Sequence, residues 1–152
     1  MATLPEEIKA AMQGVIPSHV VTCARDGTPN ATAISQVYYV DPEHVALSHQ
    51  FFNKTVRNVR ENPRAMVWVM SPQTFDSWDL EVEFDHAETS GPVFDALDMQ
   101  IEAIASIVGL KGIFKLKSAD IYRVLAVTKN ATERIPLPDI REPGQRRGAT
   151  PP

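Results

Sequence analysis

Two β-branched apolar runs near the N-terminus flank a tight turn, and this pattern constrains the fold more than any other feature of the sequence. The first run covers residues 19–24 and is followed by Asp26-Gly27, a dipeptide that favours a β-hairpin turn. A return strand is predicted over residues 30–40, residues 41–43 supply a second turn, and a third strand begins at Val45. The opening of the chain therefore predicts an antiparallel meander.

The remaining segments predict further strands and short helices around this meander. Helices are predicted over residues 5–12, between Asn53 and Pro63, and from Pro92 to Val108, and strands over residues 65–70, 79–85, 114–116 and 121–125. Apolar residues recur at helical spacing in the last helix, which we interpret as core packing: Val93, Leu97, Ile101, Ile104 and Val108. The six or seven strands predict a mainly β (α+β) fold, in which an antiparallel sheet closes into a barrel with short peripheral helices.

The length of 152 residues suits one domain with one hydrophobic core. We place that domain at residues 1–132. Residues 133–152 are rich in Pro and Gly and contain few hydrophobic side chains, so they do not bury enough apolar surface to offset their loss of chain entropy. We expect this tail to be flexible, or to be an arm that crosses a dimer partner.

Charge and hydropathy argue against several classes of partner. The net charge of -4 and the lack of a basic cluster interleaved with aromatics argue against nucleic acid. No apolar run is long enough to cross a bilayer and the N-terminus lacks a signal-peptide pattern, so we expect a cytoplasmic protein without membrane contact. The histidines lack the spacing of a zinc site, and we expect no metal: His19, His44, His49 and His86.

The segment Asn53-Lys54-Thr55 at the start of the predicted short helix is a candidate phosphate site. A helix N-terminus attracts anions through its free backbone N–H groups and its dipole. Lys54 places a cation in the first turn, which opposes the dipole by about 0.3–1 kcal/mol unless a bound anion reverses the local sign. The alternative is that Lys54 simply points into water.

Two arginines follow in the same helix. Arg57 and Arg60 could add positive charge to a phosphate pocket, but Arg57 also has the four-residue spacing of an exposed ion pair with Glu61. We favour the ion pair. His49, just before this helix, could face a ligand or merely cap the end of its strand.

Several stretches resemble the FMN-binding core of the pyridoxamine-phosphate-oxidase-like family. Agreement extends from about residue 16 to residue 127, and the segments that carry it are residues 26–32, 35–41, 45–55, 57–58, 61–65, 88–94 and 112–122. The resemblance implies a split β-barrel that acts as a homodimer, with FMN at the two-fold interface. It also implies the cofactor-binding residues, which are Thr32, Ala33, Ile34 and Ser35 beside the isoalloxazine, Ser48, His49 and Gln50 on the phosphate and ribityl side, and Asn53, Lys54 and Thr55 at the phosphate.

The same resemblance implies an FMN-dependent oxidoreductase that transfers hydride to or from a small organic substrate. The cofactor would supply that chemistry, so no catalytic side chain is assigned. An Arg- and aromatic-rich segment that binds the substrate phosphate in true pyridoxamine-phosphate oxidases has no counterpart in residues 127–138, which argues against that substrate. The alternatives are a non-catalytic flavin- or haem-binding sensor and a barrel with an empty pocket, and relatives that use deazaflavin F420 or haem keep those cofactors open.

Overall fold

The computed structural model describes residues 2–35, 37–50 and 53–130, except for the side chain of Asn53. The elements in chain order are a 3₁₀ helix (Glu6–Met12), β1 (Ser18–Cys23), β2 (Pro29–Ile34), β3 (Val37–Asp41), β4 (His44–His49), α1 (Asn53–Glu61), β5 (Arg64–Met70), β6 (Ser77–Glu88), α2 (Pro92–Ile107) and β7 (Ser118–Asn130). The two α-helices, α1 and α2, form where the sequence predicts them. The tail predicted over residues 133–152 lies outside the described residues.

The seven strands form one antiparallel sheet in the order β2-β1-β5-β6-β7-β4-β3. Its two edge strands, β2 and β3, are consecutive in the chain. Only two residues separate Ile34 from Val37, so their Cα atoms lie at most about 11 Å apart and the sheet must curl until its edges approach each other. This arrangement confirms the predicted mainly β split barrel.

The predicted return strand over residues 30–40 is wrong as a single strand, and so is the simple meander. β2 pairs with β1, whereas β3 pairs with β4, which gives two hairpins. The last β1–β2 pair joins Ser18 to Ile34, and Pro17, which lacks an N–H donor, precedes β1. A longer return strand would have no partner on β1, so the chain crosses to the other edge of the sheet.

The strand predicted over residues 114–116 is also wrong. These residues lie in the irregular connection between α2 and β7, and the final strand runs unbroken over Ser118–Asn130. Leu116 is buried and packs in a cluster beneath α2, with Phe114 against that cluster. Their apolar pattern therefore reflects packing onto a helix instead of strand pairing.

The hydrophobic core has two parts that meet at β4. The larger part fills the barrel, and Val45 and Leu47 of β4 contribute to it. The smaller part lies under α2, where Ala46 of the same strand packs with Leu97 and Ile101. Since side chains alternate along a strand, β4 serves both clusters. None of the described helices is both long and apolar enough to span a bilayer.

Candidate functional site

The C-terminal end of β4 borders a largely apolar cavity of about 280 Å³. Two polar residues from this end, Ser48 and Gln50, lie on its wall, and the end of β2 forms another part of that wall. The described residues that line it are Ala33, Ile34, Ser35, Ser48, Gln50, Ile101, Ile104, Val108, Leu110 and Phe114. A mostly apolar wall with a few polar groups is typical of cofactor sites.

One buried polar atom beside this cavity lacks a partner. Gln50 Nε2 donates to Ser48 Oγ at 3.4 Å, whereas Gln50 Oε1 is buried and has no hydrogen-bond partner among the described residues. An unsatisfied buried acceptor costs about 1–3 kcal/mol. A ligand with an N–H or O–H donor would relieve that cost, and FMN carries both kinds of donor.

The start of α1 is attached to the barrel next to β2. Asn30 Nδ2 lies 3.3 Å from Thr55 Oγ1 and 3.4 Å from Thr32 Oγ1, so one amide links β2 to the first turn of the helix. Deeper in the helix, buried Asn58 donates to Thr22 Oγ1 on β1 at 3.0 Å. These bonds fix the helix N-terminus beside the strand that borders the cavity.

The first turn of α1 contains no acidic residue, and Lys54 is exposed there. No acidic side chain within the described parts of the chain forms an ion pair with Lys54. Thr55 is buried at 3% exposure, and its hydroxyl accepts from Asn30 while keeping its own O–H as a donor. The turn therefore combines a solvent-facing cation with a helix N-terminus, where the first N–H groups have no acceptor within the helix itself.

A second concavity, a groove of about 490 Å³, lies between α1 and the start of β7. Its lining is His49, Val56, Arg57, Arg60, Glu61 and Lys117. The predicted ion pair between Arg57 and Glu61 is wrong, because no such pair forms among the described residues. An exposed pair gains only about 0–1 kcal/mol, which does not reliably hold two long side chains together.

A hydrogen-bonded chain runs from half-buried His49 in this groove to two buried residues, Ser118 and Asp120. His49 Nδ1 lies 3.2 Å from Ser118 Oγ, and Ser118 Oγ donates to Asp120 Oδ1 at 2.6 Å. Burial raises the pKa of the Asp120 carboxyl, while the Ser118 hydrogen bond and the charges of His49 and Arg60 act in the opposite direction. Burial lowers the pKa of His49, and the Asp120 charge opposes that effect.

The structure divides the residues that the sequence analysis grouped as one cofactor site. Five line the apolar cavity, and these are Ala33, Ile34, Ser35, Ser48 and Gln50. Thr32 and Thr55 are joined through Asn30, Lys54 is exposed at the helix start, and the side chain of Asn53 lies outside the described residues. His49 lines the groove.

Sequence reasoning missed the contribution of α2 and of the segment after it to the cavity. Ile101, Ile104 and Val108 were interpreted as core packing, and the structure places all three on the cavity wall. Val108 is 56% exposed, so core packing is wrong for that residue. The apolar stripe by itself carried no signal of this, because its periodicity does not show where the core beneath the helix ends.

The family comparison covers most of the chain. A family model described as pyridoxamine 5'-phosphate oxidase matches residues 4–124. The chain belongs to this family. That assignment confirms the resemblance seen in the sequence motifs. Within the described residues of this family member, no group of three or more His, Cys, Asp or Glu side chains could hold a metal ion.

Relatives of known structure share the fold at low sequence identity. An FMN-binding protein from Syntrophomonas wolfei has a TM-score of 0.69 and 17% identity, covering 85% of this chain and 89% of that one. An F420 reductase has a TM-score of 0.59 and 16% identity, covering 82% and 98%. HutZ, described as the haem storage protein from Vibrio cholerae, has a TM-score of 0.54 and 14% identity, covering 84% and 94%. At these identities the likeness concerns the fold alone.

A curated relative is more similar in sequence but over a shorter stretch. A Methanocaldococcus jannaschii protein described as uncharacterised is 33% identical over 63 residues. That stretch is 40% of this chain and 42% of the relative, so the match spans less than half of the relative's length.

Proposed function

We propose that the chain is a flavoprotein that binds FMN at the end of β4 and acts as an oxidoreductase on a small organic substrate. The observation that carries this proposal is that one strand, β2, both borders the apolar cavity and is bonded through Asn30 to the first turn of α1. That turn presents Lys54 without an acidic partner among the described residues. A cofactor with a flat apolar ring and a phosphorylated polar chain matches this pair of environments. When bound, FMN supplies the hydride-transfer chemistry.

The chain's own residues would bind and orient the cofactor. Residues 33–35 and Ser48 would flank the ring, and Gln50 Oε1 would accept a hydrogen bond that no described residue donates. Lys54 and the first N–H groups of α1 would hold the phosphate. Thr32 and Thr55 would act mainly through Asn30, which sets the position of the helix start relative to β2.

A homodimer is the second part of the proposal. The cavity of about 280 Å³ is just below the range of roughly 300–1,000 Å³ for small-molecule sites, so one chain provides a partial enclosure. Its rim, Val108 and Leu110, continues into Ile107 at 85% exposure and Ile113 at 60% exposure. A second copy that covers this apolar rim would remove it from water and close the site.

The test is the visible absorption spectrum of the protein as purified, and again after addition of FMN and desalting. Retained flavin absorbance supports the proposal, and anaerobic titration with NADH or NADPH then separates an enzyme from a flavin-binding sensor. A haem Soret band would identify haem as the bound cofactor instead of FMN, and a deazaflavin spectrum would identify F420. Both are cofactors that the family resemblance leaves open. A colourless protein that retains no FMN after desalting contradicts the proposal.

A further inference from the structure

The groove between α1 and β7 concentrates positive charge that the described residues do not neutralise. Arg57 and Arg60 reach it from α1, and Lys117 reaches it from the residue before β7. None of the three forms an ion pair with a described acidic residue. The groove's opposing carboxyl groups are exposed Glu61 and buried Asp120. Cations held together without paired carboxylates attract anions.

The hydrogen-bonded chain of His49, Ser118 and Asp120 adds a directional feature to this groove. Because Ser118 Oγ donates its proton to Asp120, it can only accept from His49, so His49 Nδ1 carries the hydrogen. The backbone N–H of Lys117 also donates to the carbonyl oxygen of His49 at 2.9 Å, which fixes Lys117 against the end of β4. The groove therefore has a hydrogen-bonded floor beneath three exposed cationic side chains.

The groove is separate from the helix start. Lys54 belongs to the first turn of α1 and does not line the groove, whereas Val56, Arg57 and Arg60 follow along the helix and do line it. His49 lines the groove, while its neighbours Ser48 and Gln50 line the apolar cavity. Strand alternation places successive side chains on opposite faces, so these two concavities lie on different sides of one strand end.

We propose that this groove is an oxyanion-binding site, for a phosphate or carboxylate group, distinct from the turn at Lys54 where the FMN phosphate is proposed to bind. The guanidinium groups of Arg57 and Arg60 match planar oxyanions, and Lys117 adds a point charge. Protonated His49 would add a further favourable charge. Anion binding here does not depend on whether a flavin occupies the cavity.

The experiment is a titration of the full-length chain with inorganic phosphate, and in parallel with acetate, followed by NMR of the histidine side chains. We expect a saturable shift of the His49 signals and an increase in the pKa of His49 when the anion is bound, because a nearby negative charge favours the imidazolium. The groups that face His49 are Asp120 and Lys117 from the β7 side and Arg60 from α1. The probe that binds more tightly identifies the preferred group.

Charge-matched variants locate the site. Arg60→Gln and Lys117→Gln should each weaken anion binding by roughly five- to tenfold, the loss of one charged contact at a solvent-accessible site. Lys111→Gln removes the same charge outside the groove and should leave the affinity unchanged. Thermal unfolding of each variant checks that the barrel is intact, and two groove variants on different elements guard against a folding defect in one.

Repeating the titration with FMN-saturated protein separates the two proposals. Unchanged anion affinity in the presence of FMN supports a distinct site. Competition by FMN, a non-saturable response, or equal effects of the groove and control variants overturns it. If the chain retains no FMN, the titration without flavin still tests the groove by itself.

Discussion

The apolar cavity and the basic groove take alternate residues of one stretch, residues 48–50, and have opposite character. Ser48 and Gln50 face a space lined mainly by aliphatic and aromatic side chains, whereas His49 faces three cations. The family resemblance groups residues 48–50 as one stretch beside a cofactor. The structure shows that a strand end divides such a stretch, because alternate side chains serve opposite faces.

The two environments also differ in how they are held. The cavity is bounded by β2 and α2, and the buried acceptor Gln50 Oε1 beside it lacks a described partner. The groove has a hydrogen-bonded floor and cations that extend into solvent. An apolar ring with a few hydrogen-bond donors is suited to the cavity, and a small oxyanion is suited to the groove. A substitution in one of the two should therefore leave binding in the other unaffected.

The largest expected effect comes from Lys54, which lies outside both concavities at the helix start. Lys54→Ala should weaken FMN binding by about 1.5–3 kcal/mol, the value of a hydrogen bond to a charged group, without unfolding the barrel. Riboflavin, which lacks the phosphate, should bind both proteins equally. Fluorescence titration of FMN and riboflavin measures both affinities.

Lys111→Ala is the matched control, since Lys111 is an exposed cation in the turn after α2. Unchanged FMN affinity in Lys54→Ala, combined with a large loss in Arg60→Gln, would place the flavin phosphate in the groove. That result would remove the distinction between the two sites.

Filling the cavity is the next test of the comparison. Ala33 is exposed on β2 and lines the cavity, so Ala33→Trp should occupy space intended for the flavin ring. We expect FMN affinity to fall by about 1–3 kcal/mol, the usual cost of overfilling a packed space, with phosphate binding in the groove unchanged. Isothermal titration calorimetry with FMN and with phosphate measures both effects.

Ala31→Trp is the control for Ala33→Trp. Ala31 is also exposed and lies two residues earlier on β2, where it does not line the cavity. Equal losses of FMN affinity in the two variants would mean that the bulky ring disturbs the edge strand and does not fill the site.

Local patterns in the sequence predicted most of the fold. Asn53 and Asn62-Pro63 delimit α1 as expected, and the alternation of acidic and apolar residues in β6 places Leu80 and Val82 in the core. These features depend on neighbouring residues along the chain, which a single sequence displays directly. The break between β2 and β3 depends instead on how far β1 extends, which is a long-range property.

The candidate site was less predictable for the same reason. Asn30 reaches Thr55 across 25 residues of sequence, and His49 reaches Ser118 across 69. No periodicity or short motif reports such contacts. The apolar stripe on α2 did predict a packed face, but its last residues line a cavity. Whether a residue of the stripe packs in the core or lines the cavity depends on where the core beneath the helix ends.

The smallest expected effect concerns the buried carboxyl below the groove. Because burial raises the pKa of Asp120 in the folded protein, the unfolded chain loses its proton at lower pH. The free energy of unfolding should therefore fall as the pH rises from about 4 through the folded-state pKa of Asp120. Asp120→Asn keeps an acceptor for Ser118 and should lack this decline.

Urea unfolding of the parent protein and Asp120→Asn between pH 4 and pH 7 measures this difference. The variant should gain stability relative to the parent as the pH increases, while Asp98→Asn, which changes a carboxyl on α2 outside the hydrogen-bonded chain, should follow the parent.

The pKa of His49 should fall further in Asp120→Asn, because the Asp120 charge favours the imidazolium. FMN affinity at neutral pH should not change, since Asp120 does not line the cavity. A parallel loss of FMN binding would show that the groove and the cavity are coupled through β4.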